Sequence, residues 1–193
     1  MPSSDDLLNI LRRSDRAGEL LAAIFKFDVT RGETTENAVL ASGQPLEPVA
    51  GDFSGGTFYL CGDTAVERPV LYASSEGQAG LIGDSLDATL ALIIGLPYWE
   101  DCLGYSGGGD LAAMTSAAEY LRRDTVARVP EISAHQAEAA DLLSLDIPSP
   151  ETLLVQLHSV VSRSAPDYVF SDDSGEYEGL FGPWRPDRNP RWR

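Results

Sequence analysis

Apolar positions fall in three regimes along the chain, and each predicts a different kind of element. In residues 5–27, Leu7, Leu8, Ile10 and Leu11, then Leu20, Leu21, Ile24 and Phe25, recur at helical spacing. Asp5 and Asp6 suit a first helical turn, where negative charge meets the positive end of the helix dipole. Gly18 interrupts this pattern and marks the expected break between two shorter helices. Residues 28–45 are polar, with one apolar run at Ala38-Val39-Leu40.

The period then shortens. Residues 46–50, 57–61, 69–73 and 81–83 are short apolar or β-branched runs separated by Gly51-Asp52-Phe53-Ser54-Gly55-Gly56, Gly62-Asp63 and Glu76-Gly77. Such runs between turn formers read as strands, and connections this short favour an antiparallel meander. The helical period returns after Asp84 and Ser85 with a helix over 86–94, whose apolar face is Leu86, Leu90, Ile93 and Ile94. A short aromatic helix over 97–103 follows, then a glycine loop at 104–109. Three further helices are expected, each behind a cap: 111–123 after Asp110, 133–145 from Ser133, and 149–163 opened by Ser149-Pro150. Residues 166–193 are rich in Gly, Pro, Asp and Trp and read as an extended tail, with Tyr168-Val169-Phe170 pinned to the body. Trp184 and Trp192 either dock on a surface or stay in solvent. The fold class is α+β: an antiparallel meander packed by helices, a helical C-terminal half, one domain over 1–165 and the tail.

Composition adds the electrostatics. The net charge is −16, unevenly spread. Residues 185–193 hold four arginines and one aspartate, net +3, which leaves −19 on the other 184 residues. An acidic body of this kind repels nucleic acid and anionic membrane, whose surfaces are phosphate. It attracts a basic protein partner and speeds the encounter. No apolar run approaches the ~20 residues that span a bilayer, and MPSSDD has no basic segment leading into an apolar one. The expected compartment is the cytoplasm. Cys61 and Cys102 sit in apolar surroundings without metal-ligand spacing and read as buried free thiols.

One stretch carries a catalytic signature. Gly104-Tyr105-Ser106-Gly107-Gly108 fits G-x-S-x-G, and the order Ser106, Asp141 or Asp146, His158 matches that of α/β-hydrolases. A nucleophile elbow needs a strand before the serine and a helix directly after it. Here PYWEDCL precedes, and three glycines follow before the helix at Asp110, so a glycine-rich linker is the expectation. His135 has Glu138 at helical spacing but no HExxH or cysteine partner, so no metal is expected. Asp172-Asp173-Ser174-Gly175-Glu176-Tyr177-Glu178 invites a calcium reading. Counting back from Gly175 puts Phe170 at the first ligand position, and the register of a calcium loop fails. No phosphate-binding loop is present, and no cofactor is expected.

The segments "PVAGDFSGGTFYLCGD" and "RPVLYASSEGQAGLIGDSLDATLALIIGL" together resemble the SMI1/KNR4 (SUKH) superfamily. The likeness lies in the Gly-rich turn before a strand ending in Asp63, the Pro69-Val70 strand, and the Ser85 cap of an amphipathic helix. It places a family-like core at about 5–103, with a helical extension at 110–165. The resemblance implies a non-enzymatic protein-binding module, and in bacteria an immunity protein that neutralises a basic, nuclease-type toxin by surface occlusion. Partner-binding residues expected on that reading are Asp52, Asp63, Glu76 and Asp84 beside the turns, with Tyr98 and Trp99 as aromatic anchors. The four acidic residues also read simply as turn formers. The alternatives are a small serine hydrolase using Ser106, or an assembly protein whose C-terminal tail docks on a neighbouring subunit.

Overall fold

The computed structural model describes residues 4–32, 37–63 and 68–186. Two helices open the chain, α1 (Ser4–Arg13) and α2 (Asp15–Phe25). The break between them lies at Ser14, not at Gly18. Ser14 is extended, and its side chain accepts from the Ala17 amide at 3.2 Å, capping α2. Gly18 lies inside α2, where a Cβ would sit 2.9 Å from the Leu11 carbonyl. The glycine is therefore where the two helices approach each other, not where the helix stops.

After a 3-10 turn at Val29–Arg31 and the short strand β1 (Val39–Leu40), the meander forms as expected: β2 (Leu46–Gly51), β3 (Thr57–Cys61), β4 (Val70–Ala73) and β5 (Ala79–Gly83), antiparallel and in sequential order. Strands β3, β4 and β5 are buried on both faces, which is why they read as apolar runs without alternation. Phe58, Leu60, Val70, Tyr72 and Ile82 face the main core with α1 and α2. Tyr59, Cys61, Leu71, Ala73 and Leu81 face a second cluster. Cys61 and Cys102 are both buried and unbridged, and burial pushes each thiol up to about 12.

The remaining helices are α3 (Leu86–Gly95), α4 (Trp99–Gly104), α5 (Leu111–Arg128), α6 (Ile132–Leu143) and α7 (Pro150–Val161). Helix α3 is apolar nearly all round and packs against β5, α1, α6 and α7, so it is the axis of the core rather than an amphipathic surface helix. Among the described residues, no helix is long and apolar enough to cross a membrane.

Within the segment read as a tail, Phe170 is pinned to the body as expected, and the residues around it close the fold. Strand β6 (Phe170–Asp172) pairs with β1 and with β7 (Gly175–Glu176), and Phe170 inserts into the second cluster beside Tyr59, ring centroids 5.6 Å apart. This second layer covers the outer face of the meander. Further on, the Glu178 carbonyl accepts from the Ala79 amide at 2.8 Å, and Ser164 Oγ accepts from the Leu81 amide at 2.9 Å. The outward amides of edge strand β5 are thereby satisfied. Residues 187–193, with Trp192 and three of the arginines, lie outside the described residues.

Candidate functional site

The turn between β2 and β3 is built around one carboxylate. Asp52 is 3% exposed. Its Oδ1 accepts from the Ser54 amide (2.7 Å), the Ser54 hydroxyl (2.7 Å) and the Gly56 amide (3.0 Å), while Oδ2 accepts from the Tyr72 hydroxyl (2.6 Å). Burial pushes this carboxyl up, and the hydrogen bonds from Tyr72, Ser54 and Gly56 outweigh it, holding the group below the usual carboxylate range. Burial, nearby Glu100 and the bond to Asp52 raise Tyr72 far above an ordinary phenol. Gly56 is required here, because a Cβ would collide with the Tyr72 hydroxyl and Asp52 Oδ2. The network ends in the core: Tyr72 meets Trp99 edge-on at 5.1 Å and Phe58 at 4.9 Å.

What this locked turn presents is Phe53, 67% exposed at its tip. Next to it, α4 turns Trp99, Cys102 and Leu103 inward and leaves Glu100 and Asp101 on the outer side. A cleft of about 240 Å³ lies between the β4–β5 turn and α4, with Ser54, Tyr72, Glu76, Trp99, Glu100 and Asp101 in its wall. Burial raises Glu100 above the usual carboxylate range, and Lys26 opposes that shift. Lys26 Nζ stands 3.2 Å from Glu100 Oε1 and 5.5 Å from the centre of the Phe53 ring.

The six residues expected at one surface do not share one. Strands β3 and β5 run the same way, so Asp63 and Asp84, exposed just past their ends, lie at one end of the sheet. The β2–β3 and β4–β5 turns, with Asp52 and Glu76, lie at the other. Asp84 is paired to Arg163 at 2.6 Å. Asp52 is at the same end as Glu76, but its oxygens are used internally, so it shapes that surface without being part of it. Trp99 is 3% and Tyr98 8% exposed, both in the core. Trp99 backs the acidic cleft, whereas Tyr98 lines a separate groove of about 470 Å³ between α5 and α7. Phe53, Glu100 and Asp101 stand at the Asp52 and Glu76 end of the sheet without having been expected there. Phe53 had a signal: one large apolar residue flanked by turn formers has no strand or helix to bury it.

Ser106 is fully buried. Its hydroxyl donates to the Gly182 carbonyl at 3.1 Å and accepts from the Gly109 amide at 3.2 Å. Gly107, Gly108 and Gly109 have φ of 59°, 85° and 97°, and the amides of Gly107 and Gly108 donate to the carbonyls of Trp184 and Gly182. His158 Nε2 lies 2.8 Å from the Gly109 carbonyl and so carries its proton toward it. The glycine loop is thus a receptor for residues 182–185, reinforced by Arg185 on Asp110 at 2.9 Å, not a flexible linker and not a strand–turn–helix elbow. Trp184 itself remains exposed.

Glu138 takes a bidentate bond from Arg16 on α2, both contacts 2.6 Å, rather than a sole pairing with His135. Asp172 accepts from the Ser174 amide and the Tyr177 hydroxyl, and Asp173 accepts from Asn37, so these carboxylates stabilise the β6–β7 hairpin. Among the described residues, no group of three or more His, Cys, Asp or Glu side chains could hold a metal ion. No family model, curated protein or solved structure matches this chain.

Proposed function

We propose that this chain is a protein-binding module of the SMI1/KNR4 type that neutralises a basic partner by covering its surface. The observation that carries the reading is Phe53, held exposed by the Asp52 turn at the edge of a cleft walled by Glu76, Glu100 and Asp101. An exposed aromatic on a hydrogen-bonded turn, beside Glu76, Asp101 and the Lys26-paired Glu100, is a small interaction surface with an anchor and a charged rim. The body charge steers a basic protein toward it. The features the resemblance named, a Gly-rich turn, the Pro69-Val70 strand and the Ser85 cap, support the reading, while α3 departs from it in being apolar nearly all round.

The partner that fits best is a nuclease-type toxin, since a protein that holds nucleic acid carries a basic face. An acidic module on that face occludes it without chemistry of its own, which is the role of an immunity protein acting in the cytoplasm. The test is capture with the tagged protein from a lysate of its source organism at low and high salt. The expected result is a basic protein bound at low salt and weakened at high salt, whose nucleic-acid cleavage stops when the purified chain is added. No capture at either salt, or capture unaffected by salt, contradicts the reading.

A further inference from the structure

The chain has a single lysine, and it lies at the proposed binding surface. Lys26 caps α2 with φ 56° and ψ 33°. From there its ammonium reaches both components of the surface, Glu100 at 3.2 Å and the Phe53 ring at 5.5 Å. Lys26 therefore occupies a corner composed of a carboxylate and an aromatic face, the pair of groups that recognises an organic cation.

We propose that Lys26 holds, in the free protein, the place of an arginine of the partner, and that binding exchanges one cation for the other. This rests on reading the acidic end as the binding surface, and it names the chemistry which that surface recognises.

The occupant fits its corner incompletely. The lysine makes one contact, to Oε1 of Glu100, and among the described residues Oε2 accepts no hydrogen bond. Glu76 and Asp101 make no ion pair among the described residues, though both line the same cleft. An ammonium is a compact, strongly hydrated point charge. A guanidinium is flat, less hydrated, able to bind carboxylates in bidentate fashion and to stack on a ring. It can engage Glu100 through both oxygens, reach Asp101 or Glu76, and lie on the exposed Phe53 ring. The resident contacts are weak ones, a half-exposed ion pair and an exposed cation–π contact, so little opposes their replacement.

Because Lys26 is the only lysine, labelling with 13Cε-lysine gives a single reporter signal. A capped tri-arginine peptide is titrated in, with capped tri-lysine and tri-glutamine peptides as comparisons. The expected result is that the Lys26 signal, displaced by the Phe53 ring current, moves toward the free-lysine position with tri-arginine, less with tri-lysine and not at all with tri-glutamine. Lys26→Gly, which suits the left-handed backbone, should tighten tri-arginine binding at least about fivefold. Arg163→Gln, which removes the same charge at the far end of the sheet, should change it less than about twofold, and Phe53→Ala should weaken it at least about fivefold. An unmoved Lys26 signal at saturation, equal effects of Lys26→Gly and Arg163→Gln, or no tri-arginine binding at millimolar concentration overturns the proposal. If partner capture persists under any of these outcomes, the exchange alone is overturned. If capture is also absent, so is the reading beneath it.

Discussion

Ser106 and Gly182 are joined by a 3.1 Å hydrogen bond across 76 residues of sequence, hydroxyl to carbonyl. The G-x-S-x-G stretch thereby serves as a docking site for the returning chain. Gly107 and Gly108 adopt positive φ, and their amides face the returning chain.

Gly182 is the point at which that docking should fail. A Cβ there would sit 2.5 Å from the Gly104 carbonyl, which is backbone and cannot move aside cheaply. Gly182→Ala should cost about 2 kcal/mol or more in urea unfolding. Ser106→Ala should cost about 1 kcal/mol. Against a panel of ester substrates, Ser106→Ala and the parent protein should be indistinguishable. A hydrolytic rate that disappears in Ser106→Ala would revive the elbow.

Phe170 should behave as a core residue although it comes after the expected end of the domain. It is buried against Tyr59 and Tyr177 and seals the outer face of the meander. Phe170→Ala should destabilise by about 3–5 kcal/mol. Truncation after residue 165 should expose Tyr59, Leu71 and Leu81, measurable as binding of an apolar dye. A truncated protein with parental stability would show that this layer is dispensable.

These two cases mark where sequence reasoning reached its limit. The meander was legible almost to the residue, because β-branched and aromatic runs between Gly/Asp turns have few alternatives. The α1–α2 break was placed at the wrong residue, since Gly18 marks a close helix approach as well as a break would. The C-terminal segment has turn-rich composition and no period, so its burial depends on long-range partners invisible in a local window. The same holds for Tyr98 and Trp99. A run such as Pro97-Tyr98-Trp99-Glu100-Asp101-Cys102 does not show which of its sides faces the core until α4 is seated against Tyr72. Asp52 was legible as a turn former but not as a group closed off by Tyr72, 20 residues later.

Acid should weaken the protein partly through Asp52. Its carboxyl is held below its usual value in the fold, so the stability it contributes is present above the unfolded value of ~3.9 and is lost as pH falls through the folded one. Asp52→Asn should cost about 1–3 kcal/mol at neutral pH and should flatten stability against pH below about 4 relative to the parent. Tyr72 works at the other limit. Its phenol is raised in the fold, so its contribution is lost as pH rises past the unfolded value of ~10. Parallel pH profiles for parent and Asp52→Asn would contradict this assignment.

Phe53 should separate binding from folding. Being exposed, Phe53→Ala should alter stability by no more than about 0.5 kcal/mol, yet lower partner affinity by about tenfold or more, as loss of an anchor does. Gly56→Ala should do both, because it breaks the turn that presents the ring.

On the proposed function, one end of the meander contacts the partner, and overall acidity alone does not hold it. Two variants with the same charge change separate these possibilities: Glu76→Gln/Asp101→Asn at the cleft, and Asp63→Asn/Asp84→Asn at the opposite end of the sheet. The decisive measurement is the dissociation constant of the captured basic partner for the parent and both variants at physiological salt. The cleft variant should lose at least about a hundredfold and the opposite-end variant less than about threefold. Equal losses, or a larger loss at Asp63 and Asp84, would contradict it.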